Sequence, residues 1–286
     1  MSSQIGSPRP TQAATVTQQQ QQQQQQRRVK AVFFDFMGTC LDWHSSVVRA
    51  LPQAIPEPIR SAMALDWRQA FFEDIQFRSF QNMPQLDIDA AHRWALLRVL
   101  ENETYKDHAH RFFRQGCAHA NGDGGDFCCV NPAFEDAVRS WHSMSAWPDV
   151  LPALRALRET DPELELFVLA NGTTRLQLDL ARSSGLGEVF AMLFSSELLG
   201  VHKPAPDSYG KALGLVRAGP ESAVMVAAHA YDTRAARALG FSTVYVHRWT
   251  DDRKEDMEAV RRENDCFLGE GGMRGLVGAI ESLCRA

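Results

Sequence analysis

The sequence has little of several features that mark specialised classes of protein. Only 6 cysteines occur among 286 residues, which is too few for the disulfide scaffold of a small secreted domain. No apolar run approaches the roughly 20 residues that a membrane-spanning helix needs, and the polar N-terminal segment is unlike a signal peptide. The net charge of -5 offers no basic surface for nucleic acid. We therefore expect a cytoplasmic protein that acts on a small molecule, with a homodimer left open.

The remaining composition is typical of a globular protein, with 44% hydrophobic and 23% charged residues. Residues 1–27 are the exception, because they contain Ser, Pro, Thr and an unbroken glutamine run from Gln18 to Gln26. Such a segment buries too little apolar surface to offset its chain entropy. The sequence predicts a disordered Gln-rich tail, with the folded part beginning near Val29.

Strand and helix patterns alternate along most of the folded part. VKAVFFDF has the composition of a buried strand, and helical patterns such as LDWRQAFFEDIQF follow it. After Pro148 four more strands are predicted, in LELFVLA, AMLFSSE, AVMVAA and TVYVH, with helices between them. This alternation predicts an α/β fold with a doubly wound, Rossmann-like parallel sheet. We expect a core of residues 28–45 and 146–286, with an inserted helical cap domain at 46–145.

Polar side chains follow the predicted strands where those strands end: Asp35, Asn171, Lys203 and Asp232. Taken singly, each has an ordinary explanation as a helix cap, a turn residue or a surface charge. Parallel strands end at one edge of the sheet, where ligands bind, so the four should lie together. A carboxylate there can attack an electrophilic carbon or phosphorus, and a lysine beside it lowers its pKa. A second carboxylate can orient the water that hydrolyses the resulting ester.

Four stretches carry a family resemblance: FFDFMGTCLDWHSSV, VLANGTTR, GVHKPAPDSYGKAL and VAAHAYDTRAARALGF. Together they resemble the haloacid dehalogenase superfamily, and most closely its type II (S)-2-haloacid dehalogenases. The resemblance runs from about residue 29 to residue 250. It implies that Asp35 is the nucleophile, with Thr39 bonded near it, and that Asn171, Lys203 and Asp232 fill the later motifs.

The resemblance assigns two further residues. Arg68 in LDWRQ matches a cap arginine implicated in halide departure, and Tyr209 matches an active-site tyrosine. It implies catalytic roles for Asp35, Lys203 and Arg68. We expect the substrate-binding residues to be Met37, Thr39, Asn171 and Tyr209.

Met37 separates two chemistries that this family supports. Phosphatases of the family carry a second aspartate two residues after the nucleophile, which protonates the leaving alcohol, and they use Mg²⁺. Met37 occupies that position, and a thioether cannot donate a proton. A departing halide needs no proton. The sequence therefore favours displacement at carbon, in which Asp35 forms an aspartyl ester, and implies neither metal nor cofactor.

The fourth motif departs from the family pattern at His229, where an asparagine that places water is usual. A histidine with an unperturbed pKa near 6.5 can act as a general base, so we expect His229 and Asp232 to activate the hydrolytic water. Ala170 and Ala227 each replace a hydroxyl residue of the family pattern. Because these two hydroxyl groups are missing, a second interpretation stays open: the chain is a non-catalytic binding protein built on the same core.

The sequence also leaves room for a phosphatase-like or other hydrolase that acts on an unknown metabolite. A zinc site in the long cap loop is open too, although the spacing of that loop matches no C-x₂-C or His-x₃-His arrangement. The His and Cys residues of the loop are His108, His110, Cys117, His119, Cys128 and Cys129.

Overall fold

The computed structural model describes residues 29–81, 83, 86–114 and 129–285. The predicted disordered tail lies outside this range, as do Cys117, His119 and Cys128 of the cap loop. No helix within the described ranges is long and apolar enough to cross a membrane.

A parallel β-sheet forms the centre of the protein. The strands are β1 (Ala31–Phe34), β2 (Leu41–Asp42), β3 (Ser145–Ala146), β4 (Glu165–Ala170), β5 (Met192–Ser195), β6 (Ala223–Ala227), β7 (Ser242–Val246) and β8 (Cys266–Leu268). Six of them form one sheet in the order β5-β4-β1-β6-β7-β8, and every pair is parallel. The prediction of a doubly wound, Rossmann-like sheet is confirmed.

Helices cover both faces of this sheet and form the insertion. They are α1 (Trp43–Ala50), α2 (Glu57–Phe80), α3 (Ile88–Leu100), α4 (Lys106–Ala109), α5 (Pro132–Arg139), α6 (Val150–Thr160), α7 (Thr174–Ser184), α8 (Ser196–Leu199), α9 (Pro206–Val216), α10 (Ala230–Ala238), α11 (Met257–Glu263) and α12 (Leu276–Arg285). Short 3₁₀ helices span His110–Phe112, Ser140–His142, Pro220–Ser222 and Gly272–Gly275.

Strand β1 shows why the sequence reads as a continuous apolar run. Val32 and Phe34 pack into one hydrophobic cluster, while Ala31 and Phe33 pack into a second cluster on the other face. Successive side chains of a strand point to opposite faces, so a strand covered on both faces needs apolar residues throughout. The strand order places β1 between β4 and β6, so its carboxyl end lies in the middle of the sheet.

The helical insertion leaves and rejoins the core through a small antiparallel ribbon. In this ribbon Leu41 pairs with Ala146 and Asp42 pairs with Ser145. Asp42 also accepts a hydrogen bond from Ser45 N at 3.0 Å, and this cap begins α1 at the point where the chain leaves the core. The predicted domain limits at 45 and 146 lie close to this ribbon and stay a prediction.

An aromatic cluster packs the helices of the insertion against one another. Trp141 stacks on Trp43 at 5.7 Å between ring centroids and on His92 at 4.0 Å. The Trp67 indole donates to His92 O at 2.8 Å. These rings are almost fully buried, so they hold α1, α2 and α3 as one packed unit beside the sheet.

Two elements near the C-terminus were not predicted. Helix α11 and strand β8 follow β7, and β8 adds a sixth strand at the edge of the sheet. All three residues of β8 are only half-buried. Three residues with mixed exposure carry no usable periodicity, and this explains why the sequence pattern did not reveal the strand.

Candidate active site

Asp35 lies one residue beyond β1, at the carboxyl edge of the sheet. Its backbone N–H donates to Val226 O at 3.0 Å, so the pairing with β6 continues to this residue. The side chain is buried, and both carboxylate oxygens have partners. Oδ1 accepts from Lys203 Nζ at 2.9 Å, and Oδ2 accepts from Thr39 Oγ1 at 2.7 Å. The fold therefore fixes both the position and the rotation of this carboxylate.

Lys203 bridges two carboxylates. Its ammonium group donates to Asp35 and also to Asp232 Oδ2. The second oxygen of Asp232 accepts from the Tyr209 hydroxyl at 2.6 Å. All of these side chains are buried, and one ammonium between two carboxylates leaves this part of the site with one negative charge. Tyr209 contacts Asp232, so it supports the Lys203 pair rather than lying free in the site.

Asn171 holds the main chain of Lys203. Its side-chain amide donates to Lys203 O at 2.9 Å and accepts from Lys203 N at 2.8 Å. Both polar ends of the side chain are thus used on one residue. The resemblance implied a contact with substrate, whereas the structure gives Asn171 the geometry of a residue that positions the lysine.

His229 lies between two carboxylates on the other side of Asp35. Its Nδ1 is 3.1 Å from Asp35 Oδ2, and its Nε2 is 3.2 Å from Asp251 Oδ1. The second oxygen of Asp251 accepts from the Trp43 indole at 3.1 Å and from the Thr250 hydroxyl at 2.6 Å. The ring is therefore held at both nitrogens, by Asp35 and by Asp251.

The turn after β1 brings these groups together. Thr39 Oγ1 donates to Asp35 and accepts from Ala228 N at 2.8 Å. Gly38 has a φ of +91°, and a Cβ built on it would lie 2.8 Å from each carboxylate oxygen of Asp251. A residue with a side chain would have to push Asp251 away, so glycine permits the close approach.

The insertion contributes Arg68 from α2. Its guanidinium group lies 4.5 Å from the centroid of Phe72 and 5.5 Å from that of Trp43, within cation–π range. Nη1 donates to Met37 Sδ at 3.0 Å, and Nε is buried without a hydrogen-bond partner among the described residues. Thioether sulfur is a weak acceptor. Arg68 is thus a buried cation whose hydrogen-bonding capacity is largely unused.

Electrostatic interactions shift the pKa values of Asp35, His229 and Lys203 so that all three groups are charged at neutral pH. Burial alone would raise the pKa of Asp35, but the charges of Lys203 and His229 outweigh it and hold that pKa well below its usual range. Burial would lower the pKa of His229, but hydrogen bonds to Asp251 and Asp35 raise it to about 10. The Lys203 pKa is raised by Asp232 and Asp35 against the opposing effect of burial. At neutral pH, Asp35 is therefore a carboxylate between two cations.

The structure brings together most of the residues singled out in the sequence. Asp35, Lys203 and Asp232 form one connected cluster with Thr39 and Tyr209. His229, Arg68 and Met37 border it, and Asn171 touches it through the backbone of Lys203.

Sequence reasoning missed Asp251. It follows β7, whose carboxyl end lies at the same edge of the sheet as that of β1. The acidic pair Asp251–Asp252 shortly after a predicted strand was the available signal.

Comparison with known proteins identifies the family of this chain. The family model for haloacid dehalogenase-like hydrolases matches residues 29–240. A haloacetate dehalogenase H-2 from Moraxella sp. (strain B) is 26% identical over 228 residues, which cover 78% of this chain and 87% of the relative. An (S)-2-haloacid dehalogenase from Pseudomonas sp. (strain YL) is 29% identical over 223 residues, 77% of this chain and 83% of the relative.

A solved structure agrees with the fold. The L-2-haloacid dehalogenase PA0810 superposes with a TM-score of 0.65 at 27% identity, covering 89% of this chain and 99% of its own. The similarity therefore includes the helical insertion as well as the sheet.

Proposed function

Because this chain belongs to the haloacid dehalogenase-like hydrolases, we propose that it hydrolyses short 2-haloalkanoic acids through an ester of Asp35. The observation that carries the proposal is the buried, ionised Asp35 carboxylate with Met37, not an acid, two residues after it. The relatives whose names specify haloacetate and (S)-2-haloacids supply the substrate class.

In the first step one oxygen of Asp35 attacks the halogen-bearing carbon. Oδ2 is occupied by Thr39 and His229, whereas Oδ1 has only Lys203 as a hydrogen-bond partner within the described residues. A carboxylate oxygen has about two lone-pair sites, so Oδ1 retains one for attack. The new carbon–oxygen bond forms from behind as the carbon–halogen bond breaks, and the electron pair leaves with the halide.

Arg68 receives the halide in this proposal. It is buried against aromatic rings, and its Nε has no hydrogen-bond partner in the described part of the chain. A desolvated cation stabilises an anion more strongly than a solvated one does. The halide leaves without a proton, so this reaction does not need an acid at position 37.

Positive charge for the nucleophile comes from the chain itself. Lys203 contacts both Asp35 and Asp232, so one ammonium group offsets the repulsion between two carboxylates. We propose that the reaction proceeds without a metal ion. The proposal concerns (S)-2-haloacids, with inversion at the attacked carbon.

Chloride release tests the proposal. The protein is given (S)-2-chloropropionate or chloroacetate with EDTA present, and chloride and the 2-hydroxy acid are measured. We expect both products from the wild type and none from Asp35→Asn. Asp42→Asn is the matched control, because asparagine caps a helix as well as aspartate does and Asp42 caps α1 outside the site. Absence of chloride together with Mg²⁺-dependent release of phosphate from an aryl phosphate would instead identify a phosphatase.

A further inference from the structure

His229 is placed so that its charge depends on the state of Asp35. The ring is buried and its two nitrogens face two carboxylates, Asp35 at 3.1 Å and Asp251 at 3.2 Å. While both are charged, the ring holds its proton, and the pKa of His229 is raised to about 10. A protonated ring cannot accept a proton from water, so His229 is not a base in the resting protein.

Formation of an ester removes one of these two charges. An esterified Asp35 is neutral, and its carbonyl oxygen is a weaker partner for a cation than a carboxylate oxygen is. Only Asp251 then remains to hold the proton, against the full cost of burying a charge. The first half of the reaction therefore creates the conditions under which His229 can act as a base.

We propose that His229 is the general base that hydrolyses the Asp35 ester, that Asp251 positions it, and that it acquires this role only after the ester has formed. The inference rests on the proposed function, since it requires an ester at Asp35. His229 touches the reacting carboxyl group and is a catalytic residue in this scheme, whereas Asp251 acts through the ring.

The protons balance across the two half-reactions. When the halide leaves and Asp35 becomes an ester, the Nδ1 proton of His229 passes to solvent. A water then attacks Cγ of Asp35 while Nδ1 takes one of its protons. The ester bond to the substrate breaks, and the departing alkoxide takes the other proton as the hydroxy acid forms. Asp35 is again a carboxylate and His229 is again protonated, so each turnover releases one proton and one halide.

Asp251 is better placed for this role than Asp232. The oxygens of Asp232 accept from Lys203 and from Tyr209, so this carboxylate is committed to the lysine. Asp251 contacts His229 Nε2 directly and is itself fixed by Trp43 and Thr250. A carboxylate that holds Nε2–H leaves Nδ1 as the basic nitrogen.

Other groups lie near His229 without replacing Asp251. Asp252 interacts electrostatically with the ring but accepts its own hydrogen bonds from Ala230 N and the Tyr245 hydroxyl. Tyr231 and Phe72 lie against the ring, with centroids 5.6 Å and 6.0 Å away. Arg68 acts on the same carboxylates, because its charge helps to lower the pKa of Asp251.

Trapping of the intermediate is the first test. In rapid mixing with (S)-2-chloropropionate at neutral pH, His229→Gln should release about one chloride per protein and then slow in its turnover by about 10²- to 10⁴-fold, the usual contribution of a general base. Mass spectrometry should find the substrate carbon chain, as a 1-carboxyethyl ester, on the peptide that contains Asp35. If the variant turns over at the wild-type rate, or forms no ester at all while folded, the inference is wrong.

The pH profile distinguishes positioning by Asp251 from a structural role. Asp251→Asn keeps a hydrogen-bond acceptor for Nε2–H but removes a charge that raises the pKa of His229. The rate of ester hydrolysis should therefore fall. The limb of the pH profile along which this rate rises, as His229 loses its proton, should shift to lower pH. Asp252→Asn is the matched control and should shift this limb much less. Equal shifts in the two variants would contradict the role of Asp251.

Proton timing in the wild type tests the scheme without any variant. A pH indicator in weak buffer should report one proton together with the chloride, before the hydroxy acid appears. A proton that appears only with the hydroxy acid would overturn the inference while leaving the ester mechanism intact. A wild-type protein that releases no chloride would overturn the proposed function and this inference with it.

Discussion

Asp35 is flanked by a cation on each of two sides, and the two sides are built differently. On the lysine side, Lys203 contacts Asp35 and Asp232. On the histidine side, His229 contacts Asp35 and Asp251. Both arrangements place one buried cation between two buried carboxylates. They differ in the cation: the pKa of Lys203 lies above its already high usual value, whereas that of His229 is about 10.

Because of this difference, the charge of Lys203 is permanent near neutral pH, whereas the charge of His229 depends on the charge of Asp35. Removal of one carboxylate from Lys203 would still leave an amine whose unperturbed pKa is near 10.4. Removal of one from His229 leaves a ring whose unperturbed pKa is near 6.5, within the neutral range. The lysine side can therefore keep Asp35 ionised at all times, while the histidine side can change its protonation when the charge of Asp35 changes.

The largest effect is expected from breaking the lysine side with Lys203→Met. Removing one partner of a buried ion pair costs about 3–5 kcal/mol, because Asp35 and Asp232 would be left as adjacent buried carboxylates. The free energy of unfolding at pH 7, measured with urea, should fall by about that amount, and chloride release should be lost. Lys211→Met is the matched control, since Lys211 is exposed and donates only to Leu199 O among the described residues. If Lys203→Met lost as little stability as the control, the ion pairs of Lys203 with Asp35 and Asp232 would not stabilise the fold in this way.

The contacts of His229 should instead be detected as a pH dependence of the free energy of unfolding. The folded pKa of His229 is raised above its unfolded value near 6.5, so its contribution is fully present below about pH 6.5. It is lost as the pH rises through the folded pKa of about 10. Urea unfolding between these pH values should show falling stability in the wild type and a flatter profile in His229→Gln. Parallel profiles in the two proteins would contradict the assignment.

At acid pH the dependence has the opposite sign, because the contribution of Asp35 to stability is lost as the pH falls. The pKa of Asp35 is depressed in the folded protein, so its contribution is present above the unfolded value near 3.9 and is lost as pH falls toward the folded pKa. Urea unfolding extended below about pH 4 would therefore report on Asp35, whereas the alkaline end of the series reports on His229.

The two sides also differ in how far the sequence could predict them. Asp35, Lys203 and Asp232 follow strands with clear apolar patterns, and the topology of a parallel sheet brings such positions to one edge. The partner of His229 was missed although Asp251 also follows a predicted strand, because two adjacent aspartates follow β7 and the sequence alone does not indicate which of them reaches the ring. The pKa of His229 likewise depends on two carboxylates that are distant in sequence.

A smaller effect is expected from crowding the histidine side with Gly38→Ala. The new Cβ would lie 2.8 Å from the Asp251 carboxylate and would displace it from the ring. A positive φ also costs a non-glycine residue about 1–2 kcal/mol. Gly200→Ala is a matched control, because Gly200 has a φ of +67° with nothing within 4 Å of its Cβ position. Both variants should lose stability, but only Gly38→Ala should slow ester hydrolysis more than chloride release.

The smallest effect is expected from Asn171→Ala, which loosens the lysine side without removing its charge. The variant loses two hydrogen bonds to the Lys203 main chain, each worth about 0.5–1.5 kcal/mol, so unfolding should become easier by about 1–2 kcal/mol at this exposed residue. If Asn171 acts through Lys203, kcat for chloride release should fall while KM changes little. Asn171→Asp is the informative companion, because it keeps the acceptor for Lys203 N, loses the donor to Lys203 O and adds a negative charge beside that carbonyl. A rise in KM with unchanged kcat would instead make Asn171 a substrate-binding residue, as the family resemblance implied.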